Sequence, residues 1–315
     1  EIANSNGNGG HAKVIIPNIY GTAPLYIRVT DFGGDDYGKF GIHYKKIATG
    51  SEIFSQQSLS VFPDEGESVF NRPLLKGDLN NDGKVDLIFQ YQNSNGQLCV
   101  RTKISDGLGG FTTNFQNLGD DGITLEYPTL TGDIDGDGKT DLILTYVYDN
   151  NLRIRVNFSN GDGTFRRAST YPFSSTEGAS VFNRQVLTGD VNADGKADLI
   201  FQYKSTTTGK LMIRTKISRG DGSFDMPDAF DAQDGETAMS HPTIQGDFNG
   251  DGKSDLLLAY YYTGNGLTVR TKFAKGDGSY GASDPFVLGD GNGVFDYPTL
   301  TGDVDGDGKT DLILV

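Results

Sequence analysis

The stretch "GDIDGDGKTDLIL", Gly132 to Leu144, sets aspartates at alternate positions (Asp133, Asp135, Asp137), adds a fourth at Asp141, and then turns into an apolar run. Four carboxylates this close repel one another, so a folded segment needs something to offset the repulsion. The stretch recurs. "GDLNNDGKVDLIF" starts at Gly77, "GDVNADGKADLIF" at Gly189, "GDFNGDGKSDLLL" at Gly246 and "GDVDGDGKTDLIL" at Gly302. The first aspartates, Asp78, Asp133, Asp190, Asp247 and Asp303, step by 55, 57, 57 and 56 residues. Near-copies at so constant a step mark a repeat architecture, whose units bury their apolar faces against one another.

Each loop leads into an apolar strand and then a second one: "LCVRTKIS" from Leu98, "LRIRVNFS" from Leu152, "LMIRTKIS" from Leu211, "LTVRTKFA" from Leu267. A Gly-rich turn follows, and a lead-in, "SVFNR" or "PTL/PTI", precedes each loop. β-Branched and aromatic runs cut by Gly, Asn and Asp read as strands, and no segment holds a helical period. About four short strands per repeat is the content of one propeller blade. The expectation is an all-β propeller of four-stranded blades over residues 1–315. Repeats start near residues 65, 125, 178, 239 and 295. A degenerate N-terminal repeat with an insertion occupies 1–64, where "ANSNGNGGHAKVII" (Ala3 to Ile16) lies over "GDVDGDGKTDLILV" without a gap. Six motif starts give six blades, with five or seven as alternatives.

The net charge is −15 and disfavours nucleic acid and anionic membrane as partners. The five loops hold 17 aspartates, so five divalent cations would bring the total to about −5. No run of eighteen apolar residues is present, so no membrane insertion is expected. Cys99 is the single cysteine and reads as a small buried hydrophobe. The chain opens at Glu1 rather than Met, which fits a mature or a trimmed product alike.

Calcium takes six to eight hard oxygen ligands in a flexible cage. Counting from the first aspartate, side chains at positions 1, 3 and 5 turn inward, the position-7 carbonyl adds a ligand, and the position-9 aspartate closes the cage. The candidate ligands are Asp78, Asn80, Asp82, Lys84 and Asp86; Asp133, Asp135, Asp137, Lys139 and Asp141; Asp190, Asn192, Asp194, Lys196 and Asp198; Asp247, Asn249, Asp251, Lys253 and Asp255; and Asp303, Asp305, Asp307, Lys309 and Asp311. The lysines contribute carbonyls, and their ammonium groups are expected to face solvent. Zinc would call for Cys or His, and an EF-hand for a Glu at position 12, where Leu144 stands. The alternative is an acidic, Asx-rich turn that holds no metal.

The D-x-[DN]-x-D-G-K-x-D-L loops resemble the FG-GAP/VCBS repeats of integrin α-subunit propellers and of secreted microbial proteins, over about residues 65 to 315. The FG and GAP dipeptides of the integrin version are missing, which places the chain nearer the microbial branch. The resemblance implies calcium loops between the first and second strands of each blade, about five structural calcium ions on the aspartates above, and an extracellular setting.

No catalytic set emerges. The sequence holds no G-x-S-x-G, H-E-x-x-H, phosphate loop or C-x-x-C, and "SNGDGTF" and "SRGDGSF" read as hairpin turns. Arg219–Gly220–Asp221 occupies the same turn slot as Asn160–Gly161–Asp162, so its arginine reads as incidental. Arg101/Lys103, Arg214/Lys216 and Arg270/Lys272 sit two apart and read as solvated strand faces. Candidate ligand-binding residues border the grooves between blades: Arg72, Tyr127, Arg184, His241 and Tyr297. Repeated weak sites of this kind give avidity for glycans. The first reading is therefore a secreted, non-enzymatic, lectin-like propeller. A docking domain of a larger toxin or adhesin, bound to a protein surface, is second, and a polysaccharide lyase third.

Overall fold

The computed structural model describes residues 73–119, 127–148, 151–172, 186–233, 241–262, 266–288 and 300–313. All belong to the second of the chain's two compact units, Lys39–Val315. The degenerate repeat over 1–64 and the "SVFNR" lead-ins lie outside the described residues.

The described residues are all β, with no helix. Four antiparallel meanders and one strand pair follow in chain order. The first sheet is β1 (Leu75–Gly77), β2 (Asp86–Gln92), β3 (Leu98–Ser105) and β4 (Phe111–Asn117), hydrogen-bonded in that order. The second is β5 (Thr129–Gly132), β6 (Asp141–Tyr148), β7 (Asn151–Ser159) and β8 (Phe165–Pro172). The third runs β9 (Leu187–Gly189), β10 (Asp198–Lys204), β11 (Leu211–Ser218) and β12 (Phe224–Asp225), with β13 (Phe230–Asp231) also on β11. The fourth is β14 (Ile244–Gly246), β15 (Asp255–Tyr262), β16 (Gly266–Ala274) and β17 (Tyr280–Ala282), with β18 (Phe286–Val287) also on β16. β19 (Leu300–Gly302) and β20 (Asp311–Ile313) form the last pair. The acidic loop joins the first and second strands each time, and its register is fixed: the glycine before it pairs with the position-9 aspartate, as in Gly77↔Asp86 and Gly132↔Asp141.

The second strands of the middle sheets, β6, β10 and β15, are apolar on both faces because another sheet covers each side. In a strand, neighbouring side chains point to opposite faces. Ile88 at position 11 accordingly packs with Leu79 against Leu142 and Leu144, positions 10 and 12 of the next repeat. Ile143 and Ile134 meet Leu199 and Phe201 in the same way. Ile200 and Val191 meet Leu256 and Leu258, and Leu257 meets Leu312. Burying one such side chain contributes about 1.5–3 kcal/mol. The first strands β1, β5 and β9 lie side by side, so the sheets follow one another in a propeller-like order.

The same covering corrects one expectation. Lys103, Lys216 and Lys272, read as part of solvated faces, are buried, as is Arg155. Two of the lysine heads are hydrogen-bonded inside: Lys103 Nζ donates to Thr113 Oγ1 at 2.9 Å and Lys272 Nζ to the Ala232 carbonyl at 2.6 Å. Cys99 is buried, and burial raises its thiol pKa.

A candidate metal centre in five copies

The loop shapes itself first with its own carboxylates. Asp133 Oδ1 accepts the N–H groups of Gly136 (2.8 Å) and Asp137 (3.1 Å), and Oδ2 accepts that of Gly138 (2.8 Å). Asp78, Asp190, Asp247 and Asp303 each accept the position-5 and position-6 amides in the same way. Positions 4 and 6 are left-handed throughout, which suits glycine at both; Asn81 (φ 58°) and Ala193 (φ 60°) stand at position 4 in the first and third loops.

The position-9 aspartate ties the loop to the sheet. Asp141 accepts Ile134 N–H on Oδ2 (2.9 Å) and Ser159 N–H, at the end of β7, on Oδ1 (2.8 Å). Asp86, Asp198 and Asp255 make the same two bonds, and Asp311 the first of them. Burial pushes the Asp141 carboxyl up to about 7, and those of Asp198 and Asp255 up to about 6, with the amide bonds pulling the other way.

Position 5 departs from expectation. The lysine ammonium at position 7 does not face away into solvent. It pairs with the position-5 carboxylate: Lys84 with Asp82 at 2.7 Å, Lys196 with Asp194 at 3.0 Å, Lys253 with Asp251 at 2.9 Å, Lys309 with Asp307 at 2.5 Å, and Lys139 with Asp137. The position-5 acid is the nearest opposite charge two residues away, and the lysine stem lies by the hairpin glycine of its own sheet (Gly107, Gly161, Gly220 or Gly276). The lysine bond holds Asp82, Asp251 and Asp307 below the usual carboxylate range. At Asp137 and Asp194 burial opposes that shift, and the lysine prevails.

Position 3 completes the set. Carboxylate oxygens of Asp133, Asp135 and Asp141 lie within 4.8 Å of one another, as do those of Asp303, Asp305 and Asp311. In the other three loops position 3 is Asn80, Asn192 or Asn249, whose Oδ1 accepts the position-5 amide. Asp135 Oδ2 pairs with Arg166 at 3.2 Å, while its Oδ1 is buried without a hydrogen-bond partner. Burial, then the charges of Asp137 and Asp133, raise its pKa.

Two of the five candidate ligand-binding residues fall among the described residues. Tyr127 and His241 are half-buried at equivalent places before β5 and β14, while Arg72, Arg184 and Tyr297 lie outside the described residues. The Gly-Asp-Gly stretches are hairpin turns closed by Asn160 N–H to Thr164 C=O (2.9 Å), Arg219 to Ser223 (3.1 Å) and Lys275 to Ser279 (3.0 Å). Asp221 caps its own turn on Ser223, and Arg219 pairs with Asp225, which accounts for both charged residues of the Arg-Gly-Asp triplet. The sequence reading missed Arg166, which also stacks on Phe158 at 4.3 Å, and Ser159 and Ser218, whose place at the end of the third strand was a readable repeat.

Antiparallel four-stranded sheets, each bearing one acidic loop at the same register, define a propeller-like repeat protein. The FG-GAP-like repeat profile matches residues 78–144, 133–201 and 247–314, more than half of the chain, and the chain belongs to that family. A T-cell immunomodulatory protein homolog of Plasmodium yoelii yoelii is 29% identical over 170 residues, covering 50% of this chain and 23% of that protein. This chain thus spans less than a quarter of that relative. Among solved structures, the rhamnogalacturonan lyase PL11 of Bacillus licheniformis aligns at 15% identity and TM-score 0.40, covering 77% of this chain and 57% of that one. The rhamnogalacturonan lyase YesW aligns at 18% and 0.42, covering 78% and 55%. The Tc holotoxin pore of Photorhabdus luminescens aligns at 16% and 0.38, covering 79% and 13%.

Proposed function

We propose that the chain is a secreted, calcium-stabilised β-propeller of six blades that binds carbohydrate and catalyses no reaction. The observation that carries the metal reading is the buried Asp135 Oδ1, an acceptor without a donor, held beside Asp133 and Asp141 in an all-oxygen set. Hard oxygens of this kind, with a backbone carbonyl at Lys139, suit calcium better than zinc. Bound there, calcium would supply the positive charge that lets the carboxylates share one turn. The chain's own part is to orient the set: the amides of Gly136, Asp137 and Gly138 aim Asp133, and those of Ile134 and Ser159 aim Asp141. Position 5 would exchange its lysine for the cation.

Supporting the binding role is the repeated ring-bearing slot at Tyr127 and His241, where a flat face can stack on a sugar. The non-enzymatic reading follows from the closely spaced aspartates, since each of them belongs to a loop repeated with the fold.

Thermal unfolding in about 2 mM calcium and then in excess chelator tests the metal, with metal analysis of both samples. The expected fall in Tm is on the order of 10 °C for five sites near ten times their Kd. An unchanged Tm in protein shown to be metal-free would refute the calcium reading. A glycan array on the calcium-loaded chain tests the partner, and a blank array moves the assignment to a docking domain.

A further inference from the structure

Neighbouring loops are joined backbone to backbone. The N–H at position 8 donates to the carbonyl of the first aspartate in the preceding loop: Thr140 to Asp78 at 2.6 Å, Ala197 to Asp133 at 2.6 Å, Ser254 to Asp190 at 2.6 Å and Thr310 to Asp247 at 2.7 Å. A second link runs through a serine. The Ser159 hydroxyl donates to the Leu79 carbonyl (2.7 Å) while its N–H holds Asp141 Oδ1 (2.8 Å). Ser218 joins the Ile134 carbonyl (2.7 Å) to Asp198 (2.8 Å). In the fourth repeat Ala274 stands there; its N–H holds Asp255 (2.8 Å), but it has no hydroxyl with which to reach the third loop.

These links end on the cation ligands or directly beside them. Position 8 lies between the position-7 carbonyl and the position-9 carboxylate, and the carbonyl that it reaches belongs to the first ligand of the loop before. Ordering one loop around a cation thus fixes a donor or acceptor that its neighbour needs for its own ordered state. The second binding event then meets a smaller entropy cost. Such coupling is reciprocal.

We propose that the five loops bind calcium cooperatively, each occupied loop raising the affinity of those on either side, most strongly across the serine-bridged pairs one–two and two–three. The inference rests on the calcium reading above.

The test is a calorimetric titration of calcium into the whole, chelator-stripped chain and three variants. Wild type should fill with a Hill coefficient above one. Asp135→Asn with Asp137→Asn silences the second loop, and the first and third loops should then bind about fivefold more weakly or worse. Ser159→Ala with Ser218→Ala keeps every ligand, so the stoichiometry should hold while the isotherm becomes shallower. Ala274→Ser installs the missing bridge and should make it steeper. Loops that fill independently, with isotherms unmoved by the serine and Ala274 variants, overturn the coupling and leave the calcium reading standing. Absence of calcium binding in every form overturns both. If the aspartate variant loses its β circular dichroism, the serine and Ala274 variants decide alone.

Discussion

Residues 132–144 and 302–314 differ in sequence only by Ile134 against Val304, yet the structure treats them differently. Ile134 is 0% exposed and Val304 66%. The glycine that opens each stretch tells the same story. A Cβ on Gly132 would sit 2.8 Å from Ala197 Cβ in the next repeat, whereas Gly302 has nothing within 4 Å among the described residues. The Asp133 carbonyl receives the Ala197 amide, but no such donor to Asp303 occurs among the described residues. Burial, and with it the raised pKa of Asp141, comes from the neighbouring sheet rather than from the thirteen residues themselves.

The widest separation should come from Ile134→Ala and Val304→Ala. The first empties a packed site and should cost about 2–5 kcal/mol, and the second less than about 0.5 kcal/mol, measured by chemical denaturation. Equal costs would mean that the fifth repeat is covered as the second is. Gly132→Ala should cost about 1–3 kcal/mol, because Ala197 must move, and Gly302→Ala close to nothing. The pH dependence sharpens the comparison further. A carboxyl whose pKa is raised by folding contributes stability below its unfolded value and loses it as pH rises through the folded value. In chelator, Asp141→Asn should therefore gain on wild type by about 3 °C or more in Tm as pH rises from 4 to 7 and Asp141 ionises, while the lysine-paired carboxyls of Asp82, Asp137, Asp194, Asp251 and Asp307, held low, move Tm the other way in both proteins. A difference between the two proteins that stays constant over that range would contradict the burial of Asp141. The smallest effect is a gain: Ala193→Gly relieves a left-handed alanine and should add up to about 1 kcal/mol, whereas Gly136→Ala at the same place in the second loop should lose a similar amount.

The residues foretold what repeats locally. Alternating aspartates, a glycine at position 6 and a β-branched run lie within thirteen residues, so the loop, the strand after it and the antiparallel meander were legible from spacing alone. What the spacing could not carry was everything that depends on a residue some 56 positions away. Val304 and Ile134 read alike because alternation marks a face as apolar without saying what covers it. Lys103, Lys216 and Lys272 read as surface for the same reason, since nothing in "RTKIS" or "RTKFA" records the sheet stacked beside it. The turn of Lys139 toward Asp137 was closer to hand. It is an i, i+2 pair in a turn tight enough to bring the two charges together, and it was missed because the acid had already been assigned to a cation.

That lysine pair bears on biosynthesis. Each acidic turn carries an ammonium group of its own, so the newly made chain brings along one positive charge for each cluster of carboxylates. A turn built in this way has its charge partly balanced from the moment it is synthesised. On the calcium reading proposed above, the ion would displace the lysine from position 5 and order the rest of the turn.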